Sequence, residues 1–212
     1  MTPVLHLTMG PSRYPEATSD RPFTSVDLYD LDARLLFGGR VRGLTLAPDC
    51  DQLFLERNAT MLETFVRGGG RVLVNGHVVR PFLPGLPAWR AIDHHGPADL
   101  VISPVTPHPV WDGVDFYELL YRTGVPGTPT GEELARVGVA GFYGRGHHSR
   151  VPERGTVING IGPHALPVDI VYPLGDGLVL AHAGNDLLGF SDPDRSTRTL
   201  GPRLIAWLEG SL

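Results

Sequence analysis

The chain has 212 residues, of which 42% are hydrophobic and 19% are charged, as in an ordinary globular protein. We expect one domain spanning residues 1–212, because this length suits a single α/β core. The net charge of −5 argues against nonspecific nucleic-acid binding, which needs a basic surface. A single cysteine excludes an intramolecular disulfide and a cysteine-rich metal site, and we expect no cofactor.

No window of the sequence approaches the ~20 apolar residues of a membrane span. The first residues also lack the basic start and long apolar core of a signal peptide. We therefore expect a cytoplasmic protein without a membrane or nucleic-acid partner. A homo-oligomer and a complex with a partner subunit both stay open.

The first half of the chain is predicted to alternate strands and helices. Apolar, β-rich runs predict strands at residues 4–9, 23–28, 41–47 and 71–74, with a loop at residues 14–22. Apolar residues at helical spacing predict a helical turn at 31–37 and one helix at 52–66. Glycines at 68–70 end that helix, because glycine adopts positive φ angles without cost.

Residues 41–77 read as a βαβ unit, which builds parallel sheets. Ligands of open α/β sheets bind beyond the carboxyl ends of the strands. Those ends carry five candidate site residues: Asp49, Cys50, Asn75, Gly76 and His77. His77 is the candidate general base, although it could instead bind a ligand or metal, or hydrogen-bond a loop carbonyl. The acidic neighbours of Cys50 should raise the pKa of its thiol, so we expect no nucleophile there.

The second half is predicted to be mostly β. Proline-rich residues 78–89 form an ordered loop, and 115–122 form a short helix or a strand. A buried strand at 99–103, a loop at 124–131 and a closing helix at 197–208 are also expected. Further strands are predicted at residues 134–143, 156–161, 168–172 and 178–182, the last two joined by a hairpin at 173–177. The fold class is therefore α/β, with a mostly parallel sheet and extra β-hairpins in the C-terminal half.

Several aromatic and histidine residues are weaker candidates. Tyr143, Trp89 and Trp111 are able to stack on a sugar ring, but such residues are more often core or loop anchors. The adjacent pairs at residues 94–95 and 147–148 point to opposite faces of any strand, which disfavours chelation of one ion. A loop could still chelate an ion, and Gly144 and Gly146 would make the second pair flexible enough for this.

Three stretches carry a family resemblance: FVRGGGRVLVNGH at 65–77, HPVWDGVDFYELLYR at 108–122 and LPVDIVYPLGDGLVLAHAGND at 166–186. In this order they resemble the class I glutamine amidotransferase-like superfamily, and within it the ThuA-type (trehalose-utilisation) proteins. The resemblance implies one flavodoxin-like three-layer domain over residues 1–212. It also implies that His182, Asn185 and Asp186 lie beside the site, with His182 and Asp186 as catalytic groups.

The departures from this superfamily bear on function. Its nucleophile corner corresponds to residues 74–77, which contain neither cysteine nor serine, and Pro48 has no N–H for an oxyanion hole. The resemblance thus implies a protein without glutaminase activity that binds or transforms a small polar metabolite, with carbohydrate as the ThuA-like class. A non-catalytic subunit or interaction module is the alternative. A metal-dependent hydrolase using His77, His148, His182 and Asp186 is a third reading that no sequence spacing supports.

Overall fold

A computed structural model describes residues 3–10, 23–125 and 131–212. Its strands are β1 (Val4–Thr8), β2 (Thr24–Asp27), β3 (Gly43–Leu46), β4 (Arg71–Asn75), β5 (Trp89–Ala91), β6 (Ile102–Pro104), β7 (Tyr121–Arg122), β8 (Gly141–Phe142), β9 (Gly146–His148), β10 (Thr156–Ile161), β11 (Leu166–Leu174) and β12 (Gly177–His182). Its α-helices are α1 (Ala33–Phe37), α2 (Gln52–Arg57), α3 (Ala59–Arg67), α4 (Phe116–Leu119), α5 (Gly131–Val137) and α6 (Leu200–Glu209). None of these helices is long and apolar enough to cross a membrane.

An eight-stranded mixed sheet forms the centre, in the order β2-β1-β3-β4-β12-β11-β10-β6. The strands from β2 to β12 in this order pair in parallel, and β11, β10 and β6 continue the sheet through antiparallel pairs. Two small sheets, β5-β9 and β7-β8, lie outside it. The predicted α/β class, with a mostly parallel sheet and added hairpins, is confirmed and is compatible with a flavodoxin-like sandwich.

Each face of the sheet has its own hydrophobic core. On β1, Leu5 and Leu7 pack into one core, whereas Val4 packs into the other, because successive strand side chains point to opposite faces. Helices α2 and α3 cover the first face, and α6 covers the second. His6 and Thr8 also point to the α6 face, because each lies an even number of positions from Val4 in β1.

The βαβ unit at residues 41–77 is confirmed, with one change. Strands β3 and β4 pair in parallel, but the predicted single helix is two helices that meet at Asn58. The Asn58 side chain donates a hydrogen bond to the Phe54 carbonyl at 2.9 Å. Asparagine often competes in this way with the regular helical ladder, which explains the interruption. The hairpin predicted at residues 173–177 is also confirmed, since only Gly175 and Asp176 separate β11 from β12.

Three local expectations were wrong in whole or in part. The strand predicted at residues 134–143 is limited to β8, because α5 starts with Glu132 and Glu133, which favour a helix N-terminus. The strand predicted at residues 99–103 begins only at Ile102, in β6, because the residues before it lie in a 3-10 helix (Pro97–Leu100), where the Asp99 side chain accepts the backbone N–H of His95. The pair at 147–148 lies in strand β9, so the loop that chelation of one ion would need is not formed there. The loop predicted at residues 14–22 lies outside the described residues, as do positions 126–130 of the loop predicted at 124–131.

Gly43 of β3 lies in close contact with Leu208 of α6. A Cβ added there would lie 2.6 Å from the Leu208 Cβ and 2.7 Å from the Leu208 carbonyl oxygen. We expect Gly43→Ala to lower the free energy of unfolding by about 1–3 kcal/mol, because overpacking forces backbone shifts. Urea denaturation checks this, with Gly96→Ala as the matched control, since a Cβ at Gly96 would meet nothing within 4 Å. Equal stability of both variants would contradict the packing shown.

Candidate functional site

The candidate site lies where the chain reverses direction across the sheet. From β1 the chain goes first to β2 on one side and then to β3 on the other. In open α/β sheets such a switch point leaves a crevice beyond the strand carboxyl ends, and ligands bind there. The order β2-β1-β3-β4 thus places the expected crevice between β1 and β3.

A cavity of about 100 Å³ occupies this position, and we call it the switch-point cavity. It is lined by His6, Thr8, Ala47, Pro48, Asp49, Arg122, Asn185 and Asp186. His6 and Thr8 share one face of β1, because they are two residues apart in a strand. The other lining residues follow β3 and β12, or end β7. Four separate segments therefore bring polar side chains to one point.

His6 and Asp186 form the buried part of this cavity. The His6 Nε2 lies 3.6 Å from the Asp186 Oδ2, and both residues are buried. The Asp186 Oδ1 accepts the backbone N–H of Leu188 at 3.0 Å, which caps the 3-10 helix Leu187–Phe190. The capped carboxylate is thus held in place beside an imidazole, an arrangement able to bind a ligand donor or to accept a proton.

The corner after β4 is built differently from the cavity. The Asn75 amide donates to the Leu46 carbonyl at 3.0 Å and accepts the Leu187 N–H at 3.2 Å, so it ties three segments together. Gly76 has φ +98°, and a Cβ there would lie 2.8 Å from the Pro48 Cα, so only glycine fits. Asn75 and Gly76 thus support the cavity wall without lining the cavity itself.

His77 lies on the surface and not in the switch-point cavity. Its ring stacks on Trp89, with 4.0 Å between the ring centroids. Partial burial lowers the pKa of His77, and the charges of Arg145 and His182 add to this effect. The neutral imidazole is therefore favoured near neutral pH, as a general base requires.

Cys50 is buried, and its Sγ lies 3.4 Å from the Leu7 carbonyl oxygen. Burial, followed by the charge of Asp49, raises the pKa of the thiol to about 12. A thiolate is the reactive form of cysteine, so this thiol is inert at neutral pH.

A row of polar side chains crosses four neighbouring strands on the α6 face. In the strand register, Asn159 pairs with Asp169, Asp169 with His182, and His182 with Asn75. One Asp169 oxygen lies 2.7 Å from the His182 Nδ1. The other oxygen accepts the Tyr143 hydroxyl at 2.7 Å and the Asn159 amide at 2.8 Å.

This row is sealed inside the protein. Asp169 and His182 have no exposed surface, and Tyr143 is equally buried. Burial, and then the charge of Asp169, raise the pKa of Tyr143 well above its usual range. The His182 Nε2 has no hydrogen-bond partner among the described residues, and a Cβ at Gly184 would lie 2.6 Å from it. The Asp169–His182 pair is oriented as in an acid–base dyad, but it does not line the switch-point cavity.

The structure therefore divides the residues predicted from sequence. Asp49, Asn185 and Asp186 line the switch-point cavity. The others lie outside it: Cys50, Asn75, Gly76, His77, Tyr143 and His182. Within the described part of the chain, no three His, Cys, Asp or Glu side chains group as a metal site.

Four important residues were missed by sequence reasoning. His6 and Thr8 alternate with leucines in the first strand, VLHLT, and this polar face was a usable signal. Asp169 stands in the apolar strand sequence LPVDIVYPL, where a charged residue needs a partner. Arg122 gave no local signal, because nothing in the sequence around it predicts that it lines a cavity with residues of β1.

Neither a scan against protein-family models nor a search of curated proteins finds a match. Among solved structures, the chain is similar to Cytoplasmic Protein STM3548 from Salmonella typhimurium, at 13% identity, with a TM-score of 0.56 and coverage of 96% of this chain and 98% of that chain. For Cytoplasmic Protein STM1381 from Salmonella typhimurium LT2 the identity is 10%, the TM-score 0.51 and the coverage 97% and 98%. For the beta-galactosidase from Rahnella sp. R3 the identity is 11% and the TM-score 0.52, and the match covers 99% of this chain but 31% of that enzyme. These likenesses concern the fold alone.

Proposed function

We propose that the protein binds a small polar metabolite in the switch-point cavity. The observation that carries this proposal is the convergence of six polar side chains from separate segments on one cavity at the β1/β3 crevice. Most of these side chains are held in place by bonds within the protein, as the Asn185 amide is by the Phe142 carbonyl and the Asp186 carboxylate by the Leu188 N–H. They therefore present a fixed set of donors and acceptors to a ligand with several hydrogen-bonding groups.

We also propose that the chain is a ThuA-like, amidotransferase-like protein without glutaminase activity. The three sequence stretches at 65–77, 108–122 and 166–186 support this relationship. The absence of a thiol or hydroxyl at the β4 corner and the high pKa of Cys50 argue against the nucleophilic step. The ThuA-like resemblance makes a carbohydrate-derived metabolite the first class to examine.

A non-catalytic member is the second candidate, and one observation favours it. The Asp169–His182 pair has the geometry of a dyad, but neither side chain has exposed surface. A ligand in the switch-point cavity would then be bound without reaction, and Asp186 and His6 would serve as binding groups. If NMR shows that the protein converts a bound ligand into another compound, this candidate is wrong.

A ligand screen tests the binding proposal. We expect at least one small sugar, polyol, hydroxy acid or amino acid to raise the melting temperature, since a ligand at 100 times its Kd stabilises by about 2.7 kcal/mol. Asp186→Asn should weaken that ligand by about 10- to 100-fold, because hydrogen bonds to charged groups contribute about 1.5–3 kcal/mol. Titration calorimetry measures both affinities.

Two further variants locate the ligand. Asp30→Asn is the matched control, because Asp30 is exposed and its carboxylate makes no side-chain bond among the described contacts. His77→Ala distinguishes the switch-point cavity from the corner after β4. Unchanged ligand affinity in this variant agrees with binding in the switch-point cavity. A loss of affinity equal to that of Asp186→Asn would instead indicate binding at the β4 corner. Wild-type affinity in Asp186→Asn would contradict the proposal.

A further inference from the structure

We propose that the ligand of the switch-point cavity carries a carboxylate, and that Arg122 receives it. This inference rests on the proposed function and adds the chemical class of the ligand. The class is a short acid with a hydroxyl or ammonium group on the carbon beside the carboxylate. Arg122 would then be the residue that determines specificity.

The first argument is the incomplete bonding of the Arg122 guanidinium. A guanidinium offers five N–H donors. The described residues supply one acceptor, the Gly189 carbonyl oxygen, 3.3 Å from Nη1. The Nε is buried without an acceptor, and no described carboxylate lies within ion-pair distance of Arg122. The guanidinium therefore retains N–H donors for a ligand oxyanion, and hydrogen bonds to charged groups contribute about 1.5–3 kcal/mol.

The neighbouring Arg195 has more hydrogen-bond acceptors than Arg122 does. Arg195 is buried in the same region, yet its Nε lies 3.4 Å from the Asp192 carboxylate. Its Nη1 also donates to the carbonyls of Glu118 and Tyr121, at 3.4 Å each. The fold thus provides Arg195 with a carboxylate and two carbonyls, whereas Arg122 has one carbonyl acceptor and the face of the Phe190 ring.

The second argument is the donor geometry of the guanidinium. A planar carboxylate accepts two parallel N–H bonds from a guanidinium, whereas a hydroxyl or an amide oxygen does not. A Cβ at Gly141 would lie 3.4 Å from the Arg122 Nε, so the missing side chain at Gly141 leaves the guanidinium uncrowded on that side. Arg122 is therefore suited to hold a carboxylate of a ligand in the cavity that it lines.

The third argument is the mixed charge of the cavity. Asp49 and Asp186 line it together with Arg122, so a doubly charged phosphate would face two carboxylates. A monocarboxylate avoids this, because its anionic end can face Arg122 while a hydroxyl or ammonium donates to Asp186. The cavity, at about 100 Å³, is small, which favours a short acid.

Matched acids and amides test the inference on the full chain. Titration calorimetry compares glycolate, lactate, glycine and alanine with their primary amides, and with glycerol and inorganic phosphate. We expect at least one acid to bind at least 10-fold more tightly than its amide and more tightly than phosphate. The hydroxy acids and the amino acids separate a hydroxyl from an ammonium donor.

Variants of Arg122 make the same test from the protein side. Arg122→Gln should weaken the acid by about 10- to 100-fold and leave the amide unchanged, the effect of losing a charged hydrogen bond. The affinity of Arg122→Lys for the acid should lie between those of the wild type and of Arg122→Gln, because lysine keeps the charge without the paired donors. Gly141→Ala keeps the charge but crowds the guanidinium, so it should also weaken the acid. Arg34→Gln, at an exposed helix position, is the control.

The outcomes separate this inference from the proposed function. Equal binding of acid and amide, tighter binding of phosphate, or wild-type affinity in Arg122→Gln would each overturn the carboxylate class. Binding of neutral polyols alone would overturn it and leave the proposed function standing. Failure of every probe in the wider screen would overturn both. If Arg122→Gln does not fold, as judged by circular dichroism, the acid–amide comparison and Arg122→Lys still decide.

Discussion

Replacing Asp169 by alanine is expected to lower the free energy of unfolding by about 3–5 kcal/mol, the usual effect of removing one partner from a buried pair. Asp169 is fully buried and is the common acceptor for His182, Tyr143 and Asn159. Its loss leaves three buried donors without this acceptor. We therefore expect the three hydrogen bonds to Asp169 to be lost together.

The loss of the Asp169 carboxylate should also change the packing of the neighbouring aromatic rings. The Trp111 Nε1 donates to the Tyr143 hydroxyl at 3.2 Å, so this indole is held through the same carboxyl group. We expect Asp169→Ala to weaken the near-ultraviolet circular dichroism of these rings. Asp169→Asn keeps the shape and one acceptor but places an NH₂ group against a donor, so its loss of stability should be smaller.

Urea denaturation of the three proteins measures these differences. Asp30→Ala is the matched control, because Asp30 is exposed and surface substitutions usually stay within about 0.5 kcal/mol. A value for Asp169→Ala as small as that of the control would show that the row of hydrogen bonds does not stabilise the fold.

Stability is also expected to fall as the pH drops from 6.5 toward 4, through His148. This ring is buried, and its Nε2 lies 3.0 Å from the Ala181 carbonyl oxygen. Burial lowers the pKa of His148 from 6.5 to about 4, with smaller lowering by the charges of His182 and His147. The hydrogen bond to Ala181 and the charge of Asp169 oppose this shift without cancelling it.

The sign follows from proton binding. Between pH 6.5 and 4 the unfolded chain binds a proton at His148 and the folded protein does not, so acid favours unfolding. The contribution is complete above pH 6.5 and lost at about pH 4. At about 1.4 kcal/mol per pKa unit it amounts to roughly 3 kcal/mol.

His148→Gln isolates this effect. Glutamine can still donate to the Ala181 carbonyl but does not titrate, so the variant should lose less stability than the wild type over the same pH range. The difference between the two denaturation series, measured from pH 7 to pH 4, removes the contribution of carboxyl groups common to both. Parallel curves would show that His148 is not buried as a neutral ring.

Local patterns were sufficient for much of the scaffold. Strands β1, β3, β4, β10, β11 and β12 coincide with apolar or alternating runs, because a strand buried in a sheet must present apolar side chains. The errors arose where local polar bonds decided the conformation. Asp99 folds its own segment into a 3-10 turn, and Asn58 interrupts a helix that the apolar spacing makes continuous.

The candidate site was predicted only in part. Asp49, Asn185 and Asp186 were found because the carboxyl ends of parallel strands share one edge of the sheet. His6 and Thr8 could have been found from their shared face of β1. Arg122 could not, because it reaches the cavity from a two-stranded ribbon that belongs to no part of the central sheet.

The sequence by itself determined the βαβ scaffold and the absence of a nucleophile at the β4 corner. It left open where the polar side chains meet, because strand order depends on contacts between distant segments. The bond from the Leu187 N–H to Asn75 spans 112 positions, and no local pattern encodes such a pairing. Only the placement of β12 beside β4, and of β11 beside β12, could bury His182 with Asp169 and leave Asp186 at the switch-point cavity.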